Sequence, residues 1–237
     1  MNRTPYGSIA SLLSEGILED VDFLDYETYI RFFDAFAETS GMEIDVLPSG
    51  LRLYTAGDGR PSTFIVSGQH GDERAGPIAL LEMARDGELP ILGSIRICPI
   101  THPEAWDDYT RMPGGLDMNR VWDIEKAPAP ILTLMMSIES RRPDFFLDLH
   151  ESNHEHPKSG EMFEIRHADT PWGHRLVRAL GHNTVGFKLH DHIAGSARKY
   201  TYDLGVRDTA VVETSTLLSL SERVEFHKEV IRLCVSV

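Results

Sequence analysis

Short apolar runs rich in β-branched residues alternate with segments of helical periodicity along most of this chain, and that alternation leaves few architectures open. LRLYTAG, STFIVSG, SIRICPI, DFFLDLHE, EMFEIRH and TAVVETS read as strands. Glu73 to Ala84, PILTLMMSIESR entered at Pro130, PWGHRLVRALG ended by Gly181, and LSERVEFHKEVIRLCV read as helices. Such alternation predicts an α/β fold with a mainly parallel, mixed central sheet and helices on both faces. Residues 1–45 stand apart. SIASLLSEGILED and YETYIRFFDAFAETSG carry apolar residues at helical spacing, and Gly41 is a natural stop. The expectation is a helical flank over residues 1–45 and a main domain over 46–237. The stretch from Thr101 to Pro130 is rich in Gly, Pro and polar residues and reads as one long loop. Loops of that length usually carry function.

In parallel sheets, functional groups collect beyond the carboxyl ends of the strands. His70 and Glu73 in GQHGDERAG follow the run STFIVSG, and His150 ends the run in FFLDLHES. If a helix begins near Gly71, the three-residue spacing brings His70 and Glu73 to one side of its first turn. Gly68 and Gly71 allow the backbone to bend tightly there. Two imidazoles and one carboxylate suit a catalytic zinc, with the fourth position left to water. Glu213 in TAVVETS ends another apolar run and is the best-placed base for such a water, since burial raises a carboxyl pKa towards useful values. The bland alternatives are a turn-capping His70, a solvated Glu73, a packed core His150 and a Glu213 paired at a sheet edge. The joint placement of these residues after strands favours the metal.

The loop HPEAWDDYTRMPGGLDMNRVW adds Arg111, Asn119 and Arg120. Arginine suits bidentate carboxylate binding, and asparagine adds an amide donor. A second arginine can face a developing oxyanion. The competing reading pairs these arginines with Asp107, Asp108 or Asp123 in a solvated loop.

The chain has 237 residues, 41% of them hydrophobic, enough for one sizeable core. Its net charge of -14 argues against nucleic acid and against an anionic membrane surface as partners. A local arginine cluster can still reverse the field inside a cleft. Cys98 and Cys234 are the only cysteines and read as core thiols, which fits a reducing compartment. MNRTPYGSIASLLSEG has no apolar stretch of signal-peptide length, so a cytoplasmic location is expected.

HGDE, a downstream arginine, DMNR, DLH and a late glutamate after a strand together resemble the zinc carboxypeptidase (M14-type) superfamily. That superfamily includes the succinylglutamate desuccinylase/aspartoacylase branch. The resemblance covers about residues 50–237 and implies a zinc carboxypeptidase-like catalytic domain with one Zn2+ on His70, Glu73 and His150. It implies Glu213 as general base and proton shuttle and Arg111 as the oxyanion-stabilising arginine. Asn119 and Arg120 would hold a substrate carboxylate, and Asp117 would orient His70 from behind. The implied activity is hydrolysis of an amide bond in a small peptide bearing a free carboxylate. The alternatives are an N-acyl amino acid deacylase, favoured slightly by the trimmed length and GQHGDERAGP, and a murein-type peptide amidase. A module that binds metal or carboxylate without catalysis is a rival of another class.

The chain departs from the pattern in places. His102-Pro103 stands where the family often has Asn-Pro, and no spacing selects Tyr200 or Tyr202 as a mobile tyrosine near Asp191 and His192. His154 with His156, and His190 with His192, are rival ligand pairs that adjoin no strand end as neatly and could instead line the cleft. His102, His167, His174, His182 and His227 receive no role.

Overall fold

The computed structural model describes residues 24–152, 163–167, 169–181, 184–187 and 193–234. SIASLLSEGILED, His154, His156, His182, His190, Asp191 and His192 lie outside them. The elements run α1 (Tyr26–Thr39), β1 (Glu43–Val46), β2 (Arg52–Ala56), β3 (Ser62–Val66), α2 (Ala75–Asp86), β4 (Ser94–Cys98) and α3 (Pro103–Asp107). They continue with α4 (Ala129–Ser140), β5 (Phe145–Ser152), β6 (Phe163–His167), α5 (Pro171–Leu180), β7 (Thr184–Phe187), α6 (Ala197–Asp203), β8 (Asp208–Ser215) and α7 (Leu220–Cys234).

The described strands form one sheet in the order β1-β2-β4-β3-β5-β8-β6-β7. Its centre, β4-β3-β5-β8, is parallel, while β2 joins β4 and β6 joins β8 in antiparallel fashion. β3 and β4 are buried at every residue, as strands covered on both faces must be. Alternation sorts the side chains. Ile65, Leu147, Leu149, Ala210 and Val212 join a core with α1, α2, α5 and α7. Phe64, Val66 and Phe146 join a second core with α4, Met118, Trp122 and Ala197. The sheet therefore lies between two helical layers.

This topology fixes where a site can form. The β3-to-β4 connection uses α2 on one face, and the β4-to-β5 connection uses α4 on the other. The chain thus changes direction beside β3, and the crevice between the carboxyl ends of β3 and β5 is the switch point.

The long loop expected from Thr101 to Pro130 is more ordered than its composition suggests. It contains α3 and two single 3-10 turns, Pro113–Gly115 and Met118–Arg120. β1, β7 and α6 are too short, at four to seven residues, to give a periodic signal. Both cysteines are buried and unpaired. No helix among the described residues is long and apolar enough to cross a membrane.

Residues 24–46 are built into this body. The Asp25 side chain caps α1 by accepting from the Thr28 N–H (2.7 Å), and Gly41 (φ 70°) follows its end. Tyr29, Phe33 and Phe36 are buried, and the Phe33 ring lies 4.3 Å from that of Tyr54 on β2. The Tyr29 hydroxyl donates to the Pro77 carbonyl of α2 (2.7 Å), and Trp106 Nε1 donates to the Leu24 carbonyl (2.7 Å). β1 spans Glu43–Val46, so the sheet crosses the 45/46 division drawn from the sequence. Phe33→Ala is expected to destabilise the whole protein by about 3–5 kcal/mol, the usual cost of emptying a buried aromatic site. In chemical denaturation it should shift a single transition; an early separate transition would mark α1 as an independent unit.

Candidate active site

The turn after β3 carries His70 and Glu73, and tight backbone packing shapes it. Gly68 has φ +60°, and a Cβ there would meet Ile100 Cα at 2.9 Å. Gly71 is pressed against the next loop, where a Cβ would lie 1.7 Å from the Ala105 carbonyl oxygen. The backbone N–H groups of Thr101 and His102 donate to the carbonyls of Ser67 and Gly68 (both 3.1 Å), so the loop after β4 is laced to the turn after β3. His102 is spent on that packing. Burial lowers its pKa, which keeps the ring neutral.

β5 brings His150 alongside. Phe146, Asp148 and His150 share one face of the strand. His70 Nδ1 lies 2.8 Å from Glu73 Oε1, and His150 Nδ1 lies 2.7 Å from Glu73 Oε2. Both rings thus turn their Nδ1 atoms to one carboxylate. Their Nε2 atoms face other acids: that of His70 is 2.9 Å from Asp117 Oδ1, and that of His150 is 3.0 Å from Asp148 Oδ1. Ligating histidines are held in this way, one nitrogen to the metal and the other to a carboxylate that fixes ring and tautomer. Among the described residues, His70, Glu73 and His150 are the one group of ligand-type side chains close enough to hold a metal ion. All three are buried, and the donor set of two imidazoles and one carboxylate fits a divalent metal with an open position.

A polar chain backs the site. Gln69 Nε2 donates to Asp148 Oδ1 (2.8 Å), and Trp122 Nε1 donates to Gln69 Oε1 (2.8 Å). No motif in the sequence assigns a role to Gln69 or Asp148. Asp148 was within reach, because it lies two residues before His150 on the same strand face.

Glu213 reaches the site from β8, where its backbone registers with His150 on one side and Glu164 of β6 on the other. Burial raises its pKa; the adjacent His150 opposes this shift and Glu73 adds to it. It is the only carboxylate among the described residues lining a cavity of about 50 Å3, shared with His70, His150, Arg111, Asn119 and Arg120. Arg111 donates through Nη1 to Glu73 Oε1. Asn119 is held at both ends: its Oδ1 accepts from the Ala197 N–H (2.9 Å), and its Nδ2 lies 2.9 Å from His150 Nε2. Arg120 Nη1 donates to the Asn119 carbonyl (2.6 Å) and lies 3.9 Å from Asp117 Oδ2.

Two further arginines line the same cavity, Arg166 of β6 and Arg198 of α6, with Ile193, Ser196 and Val211. Neither is marked by a motif in the sequence. Arg198 is buried on a seven-residue helix with no periodicity to announce it. Tyr200 donates its hydroxyl to Glu139 Oε1 (2.8 Å), the Tyr202 ring lies under Arg207, and neither tyrosine lines the cavity.

Residues 60–221, about two thirds of the chain, match the sequence model of the succinylglutamate desuccinylase/aspartoacylase catalytic domain. The chain belongs to this family. No curated protein matches the sequence. Among solved structures, a candidate metallopeptidase from Shewanella baltica OS155 superposes with a TM-score of 0.73 at 18% identity, covering 90% of this chain and 92% of that one. A metallo-carboxypeptidase from Burkholderia cenocepacia superposes with a TM-score of 0.70 at 13% identity, covering 90% and 69%. One from Pseudomonas aeruginosa, in complex with (2-guanidinoethylmercapto)succinic acid, gives 0.68 at 14%, covering 90% and 68%. Identities this low speak to the fold, which family member and carboxypeptidases share.

The charges of the site predict how it would take up a metal. Burial opposes a charged His150, but Asp148 and Glu73 outweigh it and raise the pKa well above its usual value. His70 shows the same balance, with Glu73 and Asp117 outweighing burial. In the metal-free protein these raised values contribute stability that is complete below about pH 6.5 and is lost as pH climbs through the folded-state values. A metal must displace those protons. Zinc binding is therefore expected to release protons at pH 7 and to tighten as pH rises from 6 to 8. Isothermal titration in buffers of different ionisation enthalpy measures this directly, and a proton count of zero would refute the assignment.

Proposed function

We propose that this protein is a zinc-dependent amidohydrolase that removes the acyl group from N-acylated acidic amino acids. The observation that carries this reading is the cavity wall. Arg111, Arg120, Arg166 and Arg198 line it in a chain whose net charge is -14, with Glu213 the one acid among the described lining residues. Such focusing draws anions into a cleft against the field of the whole protein. The family match supports the deacylase reading over the carboxypeptidase one.

His70, Glu73 and His150 hold the metal in this reading. When bound, it supplies Lewis acidity, acidifying a coordinated water and polarising the scissile carbonyl. Glu213, with a raised pKa beside His150, takes the proton of the attacking water and returns it to the leaving amine. Arg111 donates to the oxygen that gains negative charge. Asn119 and Arg120 orient the α-carboxylate of the amino acid. Arg198, and Arg166 alongside its bond to Glu164, line the cavity where its side-chain carboxylate would lie.

The second reading is a carboxypeptidase-type peptidase that uses the same groups on a C-terminal residue. It is favoured by the fold shared with the metallo-carboxypeptidases of Burkholderia and Pseudomonas, the latter seen with a succinic acid derivative.

Glu213→Gln is expected to keep its zinc and lose about 10²–10⁴-fold in turnover, the usual share of general acid–base catalysis. Full activity in that variant would remove Glu213 from the mechanism, and a wild-type protein inert towards every acylamide would favour a binding module. A substrate panel separates the two hydrolytic readings: N-acyl aspartate and N-acyl glutamate should be cleaved, and peptides with a free C-terminus should not. Arg198→Gln should weaken kcat/KM for the diacid substrates by about 10–100-fold, the worth of a charged hydrogen bond, and change N-acyl alanine far less. Equal losses on both would show that Arg198 does not read the second carboxylate.

A further inference from the structure

Glu151 follows His150 on β5, and alternation turns its side chain to the opposite face of the sheet, towards α2 and α7. There a carboxylate is fully buried, outside the cavity and without a part in the hydrolytic chemistry. Its contacts are specific. Glu151 Oε1 accepts from the Ala75 N–H at the first residue of α2 (2.6 Å), and Oε2 accepts from Arg223 Nη1 on α7. Its own backbone N–H donates to Glu73 Oε2 (3.1 Å), the oxygen that His150 Nδ1 also touches.

The start of α2 explains why a buried acid is useful there. Arg74, at the N-cap position, supplies no side-chain cap. A helix N-terminus without a cap leaves N–H donors open, and an anion satisfies them and favours the dipole. Glu151 supplies that anion from a strand 76 residues away. Arg223 then balances a charge that burial alone would make costly. Glu73 lies two residues before Ala75, so fixing the first turn of α2 also fixes the backbone that presents Glu73.

We propose that Glu151 and Arg223 are positioning residues for Glu73, and that α7 thereby sets how tightly the site holds its metal. The inference rests on His70, Glu73 and His150 being the metal ligands. Its logic is that of residues behind a metal ligand, whose loss typically weakens metal binding by about 10–100-fold.

The test uses the full-length protein and zinc alone. Zinc affinity is measured by competition with a chromophoric chelator for wild type, Glu151→Gln, Arg223→Met and Arg223→Lys. Glu151→Gln and Arg223→Met should bind zinc about 10–100-fold more weakly. Arg223→Lys, which keeps the cation, should recover most of the affinity. The far-UV circular dichroism of the metal-free variants should match that of metal-free wild type. A second measurement needs no variant: in wild type, zinc should slow hydrogen exchange at the Ala75 amide and in the first turn of α7, as it would not if the pair were mere packing. Wild-type affinity in Glu151→Gln and Arg223→Met, or unchanged exchange at Ala75, overturns the inference while leaving the hydrolase reading intact. A wild-type protein that takes up no zinc overturns both.

Discussion

One carboxylate organises this protein. Glu73 accepts from His70 and Arg111 on one oxygen and from His150 and the Glu151 N–H on the other. These partners come from the turn after β3, the loop after β4 and the end of β5. Burial opposes an ionised Glu73, but His150 and His70 outweigh it and hold the carboxyl far below its usual range. A charge so enclosed is tolerable only when every lone pair is met. The turn must therefore stay where Gly68 and Gly71 put it, since neither position has room for a side chain. The loop after β4 must stay laced to that turn, and β5 must keep its register with β3. The switch point supplies the crevice, and Glu73 makes its closure obligatory.

The same economy of charge shapes the pocket. An acidic protein gathers four arginines around one cavity carboxylate, Glu213, while Asp117 and Asp148 face the imidazoles from behind. Asp117 shows the division. Burial works to raise its pKa, but His70 and Arg120 outweigh this and hold it down to about 2, so it stays an acceptor. At Glu213 burial, with Glu73 adding to it, outweighs His150 and Arg166, and the pKa moves the other way. Two carboxylates beside one candidate metal site are thus pushed in opposite directions by their surroundings, as the proposed tasks of fixing a ring and carrying a proton require.

Much of this was legible in the sequence, for definable reasons. β3, β5 and β8 are buried on both faces and read as continuous apolar runs, so the residues at their carboxyl ends stood out. His70, Glu73, His150 and Glu213 were found in that way, and the structure brings them together. Arg111, Asn119 and Arg120 were visible because two arginines in an acidic loop ask for a reason. Arg166 and Arg198 were not. Arg166 sits on a strand that lies beside β8 only through long-range pairing, and Arg198 on a helix too short to show a period. Glu151 was hidden by its neighbour: in DLHES the histidine drew the eye, and only the packing of α2 and α7 against the far face shows what the next residue does.

The fold also separates chemistry from choice of substrate. The metal-binding group, Glu213 and Arg111 are fixed by the parallel strands and the turns laced to them, and they would serve any amide carbonyl. The groups proposed to tell one substrate from another stand at the edge of that frame, on the antiparallel β6 and on α6. β6 meets the parallel core only through β8, and α6 is tied to the site through the Ala197 N–H that Asn119 Oδ1 accepts. This member of the family and the metallo-carboxypeptidases of Burkholderia and Pseudomonas share that fold. On the proposed reading, the arginines of β6 and α6, rather than His70, Glu73 and His150, decide between an acylated acidic amino acid and the end of a peptide.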